Sequence, residues 1–325
     1  MDKARYTKHQ EVEKRVVTDF IKALSCSYST TKNLGRAIGV DEDDLLLRSV
    51  VGFSSGLSTM GDTCGAVNGG VVVLGKRFPD LPSVQFYHLC SEFYRRLEDR
   101  MDTPDCGKVH GGKHLANNFR RAILTGKNRK CTDILKEGSG ILVELTQEIE
   151  SNRFVSEHAV TESIVKLFEE NSFHCGQSVI SEVSKRSSIP VGHIYNPSRG
   201  FCGGIGFNGT LCGAVAAGVL CLGLKAGVDL SRSGYKDTAR IMFYGLIKSD
   251  GIFRDEKRFA PAKLYEQCRE VYRTVEGKYG GVHCKDILSL RLDTENGVQQ
   301  YLAERKIDHC RNIVQTVADV VVSMS

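Results

Sequence analysis

The chain repeats itself, and that limits its possible folds more than any other feature. Gly52–Lys76 (GFSSGLSTMGDTCGAVNGGVVVLGK) lies over Gly200–Leu224 (GFCGGIGFNGTLCGAVAAGVLCLGL) at an offset of 148, with 12 of 25 residues identical and no gap. Both copies contain Cys-Gly-Ala-Val, at 64–67 and 212–215. Upstream, Cys26 meets Cys175 at an offset of 149. Downstream the offset becomes 178, so Cys90, Tyr94 and Cys106 meet Cys268, Tyr272 and Cys284, and Cys131 meets Cys310 at 179. Self-similarity over such a period marks a duplicated structural unit. It predicts two units, residues 1–150 and 151–325, the second with an insertion near 225–262.

Each unit reads as helical. Val12–Leu24, Glu42–Val51, Cys64–Leu74, Val84–Met101 and Cys131–Ile149 carry helix-length apolar periodicity, with Gly and Pro mainly at the joints. Their partners are Ala159–Glu169, Gly176–Lys185, Cys212–Leu224, Lys263–Glu276 and Asp308–Ser323. Runs such as Val71–Val73 and Val320–Val322 are β-branched, but their flanks fit helices. The expected fold is all-α, two similar helical bundles that together imitate a dimer within one chain. Ala66 with Gly70, and Ala214 with Gly218, share a helix face where another backbone could approach closely.

Twelve cysteines in 325 residues are too few for a disulfide scaffold and many for a reducing compartment. Residues 1–14 are charged and lack the apolar core of a secretory leader, which predicts a cytoplasmic protein. Five thiols recur in each half in the same order, where packing alone would have admitted Ala, Val or Ser. C-x-x-C is absent, which removes zinc-ribbon, thioredoxin-type and ferredoxin-type motifs and, with no C-x-x-C-H, covalent haem. A site must therefore gather single cysteines from separate helices.

The thiols are not equivalent. Cys64 and Cys212 open helices, where exposed amides and the helix dipole favour a thiolate. Cys221 falls half a turn round the helix from Cys212 and reads as core. Cys90 and Cys268, each followed four residues later by a tyrosine, read as packing. Cys202 lies in a glycine-rich loop opposite Ser54. His174, His283 and His309 each precede a cysteine of the second half; adjacent helical residues diverge by ~100°, so these rings are expected to face solvent.

Several function classes lose support. A net charge of +5 gives no basic domain for nucleic acid. The uncharged stretch Phe201–Leu224 is long enough to span a bilayer, but glycines and Asn208 interrupt it, so a buried helix and no membrane insertion are expected. Gly204–Gly209 matches G-x-G-x-x-G without the preceding buried strand that a dinucleotide site needs. Gly107–Lys130, with seven Lys or Arg and no acid, reads as a solvated loop. No acid–base pair or Ser-His-Asp set stands out, so no enzyme class is assigned.

These residues carry a resemblance. Each half is similar to the C_GCAxxG_C_C family of redox-active proteins, whose single units are about as long as one half. Its Cys-Gly-Ala-x-x-Gly stands intact at Cys64–Gly69; in the second half Ala217 replaces the last glycine. The loop Phe201–Gly206 resembles the family's glycine-rich approach, and His174–Ser178 its first cysteine motif, more closely than the first half does. The family's four cysteines map onto Cys26, Cys64, Cys106 and Cys131, and onto Cys175, Cys212, Cys284 and Cys310. A related module accompanies the haems of split-Soret cytochromes with an iron–sulfur site. That resemblance implies an iron–sulfur cluster on the four cysteines of each half, with electron transfer to a redox partner the sequence does not name.

Three readings stay open on the residues themselves. The chain is an iron–sulfur or other thiolate-metal protein that moves electrons; or a metal-free thiol–disulfide oxidoreductase; or a structural or binding module with buried cysteines or structural zinc.

Overall fold

The order of helices follows the repeat. A computed structural model describes residues 3–112, 115–126, 128–156 and 162–324. In the first half run α1 (Lys3–Ala23), α2 (Cys26–Ala37), α3 (Asp44–Ser49), a single turn α4 (Ser54–Leu57), α5 (Gly65–Arg77), α6 (Ser83–Met101), α7 (Cys106–His110), α8 (Leu115–Leu124) and α9 (Asn128–Glu150). The second half follows with α10 (Glu162–Glu170), α11 (Cys175–Arg186), α12 (Gly213–Ala226), α13 (Tyr235–Lys248), α14 (Ala262–Tyr279), α15 (Cys284–Leu288), α16 (Glu295–Ala303) and α17 (Lys306–Ser323). At the repeat's offsets α2 matches α11, α5 matches α12, and α6 to α9 match α14 to α17. The helix α13 and the 3-10 turn Ser249–Arg254 fall between α12 and α14, where the first half has only a short link.

The protein is all-α, two like helical units from a duplication. Val71–Val73 and Val320–Val322 both lie within helices, and the described residues contain only isolated β-bridges, Thr63 with Asp105 and Leu211 with His283. Those bridges are related by the repeat, and so are the bonds around them. The Cys64 amide donates to Pro104 O and the Cys106 amide to Asp62 O (2.8 and 3.0 Å); the Cys212 amide donates to Val282 O and the Cys284 amide to Thr210 O (both 2.8 Å). Each half thus ties its second cysteine turn to its third.

Helices α5 and α12 are built from Gly, Ala, Val and Leu because they are covered on all sides. Gly65 to Gly75 and Gly213 to Leu224 are buried throughout. The rest of the Phe201–Leu224 run is a buried loop. Among the described residues no helix is long and apolar enough to cross a membrane.

The halves interlock. A Cβ at Gly75 would lie 2.6 Å from Asn196 O, and one at Gly223 2.2 Å from Ser49 O, so each central helix meets backbone of the opposite half. Gly52 faces Cys268 and Gly200 faces Cys90 in the same reciprocal way. The close backbone approach expected at Ala66/Gly70 and Ala214/Gly218 is found elsewhere. Gly70 receives the Phe93 ring and Gly218 the Val317 side chain, while backbone meets Gly69, Gly75 and Gly223.

Some helices lack the periodicity that would announce them. Helix α2 (CSYSTTKNLGRA) is buried through Ser and Thr rather than apolar side chains. Ser27 Oγ donates to Val50 O (2.7 Å), and Ser29 Oγ donates to Cys26 O (3.1 Å), which removes the cost of burying these hydroxyls. The basic run 107–130 is largely helical instead of a solvated loop; its residues 113, 114 and 127 lie outside the described residues. Phe119 of α8 packs edge-on against Phe253, with ring centroids 4.9 Å apart, so the cations occupy the outer side of an amphipathic helix. Residues 159–161 of the expected Ala159–Glu169 helix also lie outside the described residues.

Gly223→Ala should lower stability by about 1–3 kcal/mol through overpacking against Ser49. Gly277→Ala, on the exposed face of α14 with open space around it, should raise stability by about 0.5–1 kcal/mol. Urea denaturation of both variants checks the pair.

Candidate functional site

Both sites are organised around an unusual backbone. Ser55, Gly56, Leu57, Ser58 and Thr59 all have positive φ (59°, 65°, 58°, 52°, 75°), and so do Gly203, Gly204, Ile205, Gly206 and Phe207 (62°, 75°, 55°, 56°, 68°). Each stretch is a turn of left-handed helix, which costs ~1–2 kcal/mol per non-glycine residue. Three glycines relieve the second copy; Gly56 alone relieves the first. The G-x-G-x-x-G match falls in this turn, after a 3-10 helix (Pro197–Phe201) and not a strand.

The turns deliver amides to the first cysteine of each half. The Ser55 amide reaches Cys26 and the Gly203 amide reaches Cys175, at equivalent positions of the repeat. A Cβ at Gly56 would lie 2.5 Å from Cys106 Cβ, so the same turn also closes on the third cysteine.

Four thiols gather in each half. In the first, Cys26, Cys106 and Cys131 all stand near enough to Cys64 to raise its pKa. In the second, Cys175, Cys212, Cys284 and Cys310 line one void of about 20 Å³, closed by Ile287, Leu288, Ile313 and Val314. That is room for roughly one water. Cys131 and Cys310 are partly exposed and the other six are buried. Cys202 also joins the second group, its Sγ 3.9 Å from Cys175 Sγ. Cys90, Cys221 and Cys268 are fully buried elsewhere, as packing residues.

The protonation pattern corrects an expectation. Cys64 and Cys212 do cap α5 and α12, yet neither is the favoured thiolate. The hydrogen bond to Cys26 and burial push Cys64 well above its usual range. Burial pushes Cys212 up to about 12, although the Ala214 and Val215 amides oppose it. A helix dipole is worth ~0.3–1 kcal/mol, less than the desolvation of a buried thiolate in an apolar wall. The favoured anions are Cys26, lowered to about 7 by the hydrogen bond from Cys64 despite burial, and Cys175, lowered by the hydrogen bond from Cys202. Burial raises Cys106 and Cys284 strongly, and Cys131 to about 12.

The histidines expected to face solvent are half-buried and engaged. His174 caps α11, its Nδ1 accepting from the Gln177 amide, while Nε2 lies 2.9 Å from Arg199 O; burial lowers it to about 4. His309 packs edge-on against Tyr279. His283 Nε2 stands 3.0 Å from Asp62 Oδ2, joining residues beside the two sites across the halves. Two neighbours went unread in the sequence. His110 Nε2 is 3.3 Å from Cys131 Sγ, and its position one turn after Cys106 on α7 was an available signal. Tyr301 Oη donates to Cys310 Sγ at 3.6 Å; nothing local in α16 announces it.

The donor set tests what the sites could hold. Among the described residues no three His, Cys, Asp or Glu side chains are placed to bind a single metal ion. A tetrahedral zinc at ~2.3 Å from sulfur would need thiolates about 3.8 Å apart all round. Four thiols within apolar walls instead match, in chemistry, the all-cysteine ligation of iron–sulfur clusters, whose ligands bind different irons.

His283 keeps its proton to higher pH when folded, because Asp62 outweighs the opposing effect of burial; Asp62 is lowered correspondingly. The pair's stabilisation is therefore full below the ordinary histidine value and fades as pH rises through the folded His283 value. It is also lost in acid, as Asp62 protonates. His283→Gln should cost about 1.5–3 kcal/mol near pH 6. The gap between its urea midpoint and the parent's should narrow as pH rises through the folded His283 value.

Comparison with known proteins agrees with the duplicated geometry. The family model described as "Putative redox-active protein (C_GCAxxG_C_C)" matches residues 24–145 and again 173–324. An uncharacterized protein of Archaeoglobus fulgidus is 23% identical over 149 residues, 42% of this chain and 91% of that relative, which thus amounts to a single unit. No solved structure matches the chain.

Proposed function

The chain belongs to the C_GCAxxG_C_C family of redox-active proteins, twice over, and from that premise we propose that each half holds an iron–sulfur cluster for electron transfer. The ligands are Cys26, Cys64, Cys106 and Cys131 in the first half and Cys175, Cys212, Cys284 and Cys310 in the second. The observation that carries this reading is the gathering of four thiols per half from separate helix starts or faces, around an apolar void in the second half and about Cys64 in the first.

The cluster supplies the one-electron chemistry. The protein's own residues do the rest. The left-handed turns aim the Ser55 and Gly203 amides at Cys26 and Cys175, which favours thiolate over thiol and raises the potential of a bound group through hydrogen bonding to sulfur. Val314, Ile313 and Leu288 exclude water from the second site. Cys131 and Cys310, partly exposed, give each site its edge towards a partner.

A second reading has its own support. Cys26 is the more acidic member of a hydrogen-bonded pair with Cys64, and Cys175 of a pair with Cys202. Such pairs suit thiol–disulfide exchange without metal.

Protein purified without oxygen should be brown, with iron and acid-labile sulfide near stoichiometric amounts. Cys64→Ser and Cys212→Ser should each remove about half of the visible absorption, while Cys90→Ser and Cys268→Ser leave it unchanged. Metal-free protein from an iron-replete anaerobic preparation would sink the cluster reading and leave the dithiol one.

A further inference from the structure

The halves differ at one position in a way that changes the chemistry. Ser54 and Cys202 occupy the same place in the repeat, each just before a left-handed turn, with nearly the same backbone (φ −61°, ψ 149° and φ −58°, ψ 134°). In the first half Ser54 Oγ lies 2.6 Å from Ser25 Oγ and 2.8 Å from Ser27 Oγ. Those two serines correspond to His174 and Gly176 in the second half, so neither hydroxyl is there. The Cys202 thiol meets Cys175 Sγ instead, at 3.9 Å. Three linked differences, at 25/174, 27/176 and 54/202, therefore replace a serine cluster with a pair of touching thiols.

We propose that Cys175 and Cys202 form a reversible disulfide that switches the second site alone. The oxidant is a hydroperoxide. Cys175, which opens α11 and like Cys202 is buried, attacks the terminal peroxide oxygen. The O–O bond breaks; Cys175 becomes a sulfenic acid, and the thiol proton leaves with the departing oxygen as water or alcohol. Cys202 then attacks the sulfenic sulfur, the S–S bond forms, and water leaves. Two thiols lose two electrons and the peroxide gains them. Two equivalents of an external thiol reverse the change by exchange. The sulfurs must close from 3.9 Å to a bond of ~2.0 Å.

The consequence for metal rests on the function proposed above. The disulfide consumes Cys175 and leaves Cys212, Cys284 and Cys310, three thiols where four are needed. The first half, with Ser54, keeps all four of its own.

The test uses the full-length, reduced, metal-free chain. It is treated with one equivalent of hydrogen peroxide, blocked with N-ethylmaleimide and digested with trypsin, which cuts between the two cysteines at Lys185 and Arg186. A tryptic peptide pair linked Cys175–Cys202, lost on treatment with dithiothreitol and absent from Cys202→Ser, is the expected result. Cys202→Ala serves equally if the serine variant folds poorly. A linkage confined to Cys26–Cys64, or Cys175 oxidised to sulfinic acid with no linkage, would overturn the proposal. Iron reconstitution of parallel samples, oxidised in the same way but neither alkylated nor digested and with no thiol added, separates the two readings. Oxidised parent protein should take up about half the iron of the reduced protein and recover the rest once dithiothreitol has opened the link and been removed. Full uptake by a chain that carries the Cys175–Cys202 link would overturn Cys175 as a ligand and leave the disulfide standing.

Discussion

Both thiol sites depend on a turn of left-handed helix that L-residues resist. Five successive residues with positive φ in each half bring the backbone, and not a side chain, against the cysteines. That geometry places an amide at Cys26 and at Cys175 and leaves no room for a Cβ at Gly56 beside Cys106. The strain is held by what surrounds it. Gly206 in the second turn rests on backbone of α6, with a Cβ there only 2.4 Å from Tyr87 O, and Arg269 of α14 donates to Ser58 O in the first turn at 3.3 Å. Each turn is thus clamped by a helix from the opposite half. Strained backbone of this kind persists only where the rest of the fold over-determines it.

That reciprocal clamping explains why the duplication behaves as one body. Gly75 and Gly223 let each central helix touch backbone of the other half, and Cys90 and Cys268 fill the matching spaces beside Gly200 and Gly52. The five recurring thiols therefore divide by task. Four in the second half face a common void and their counterparts in the first lie about Cys64, while the fifth of each half packs the interlock. Cys90 and Cys268 show that repetition marks structural necessity as readily as chemistry.

Symmetry in the scaffold leaves the sites free to differ. His110 stands beside Cys131, whereas its counterpart Leu288 closes the second void. Tyr301 donates to Cys310, where the first half has Ala122. Cys202 replaces Ser54. Burial sets the baseline for all these thiols by opposing the anion, and sulfur–sulfur hydrogen bonds then select Cys26 and Cys175 against it. A helix start at Cys64 or Cys212 is the weaker influence because its amides act on sulfurs already sealed from water.

The repeat and the all-helical character were legible in the sequence, because identity at fixed offsets and apolar periodicity are properties of the chain's order; the offsets marked ten cysteines alike, and only the family resemblance singled out eight of them. Helix α2 was not legible, since it is buried largely through Ser27, Ser29, Thr30 and Thr31, whose hydroxyl side chains leave no apolar pattern. Nor was α8, whose cations hide a narrow apolar face. The tertiary structure alone decided which thiols are acidic, that Cys202 meets Cys175, and that His283 reaches Asp62 across 221 positions of chain. Those outcomes depend on distances between segments far apart in sequence and on the water excluded when they meet. Both arise only when the two halves close on each other.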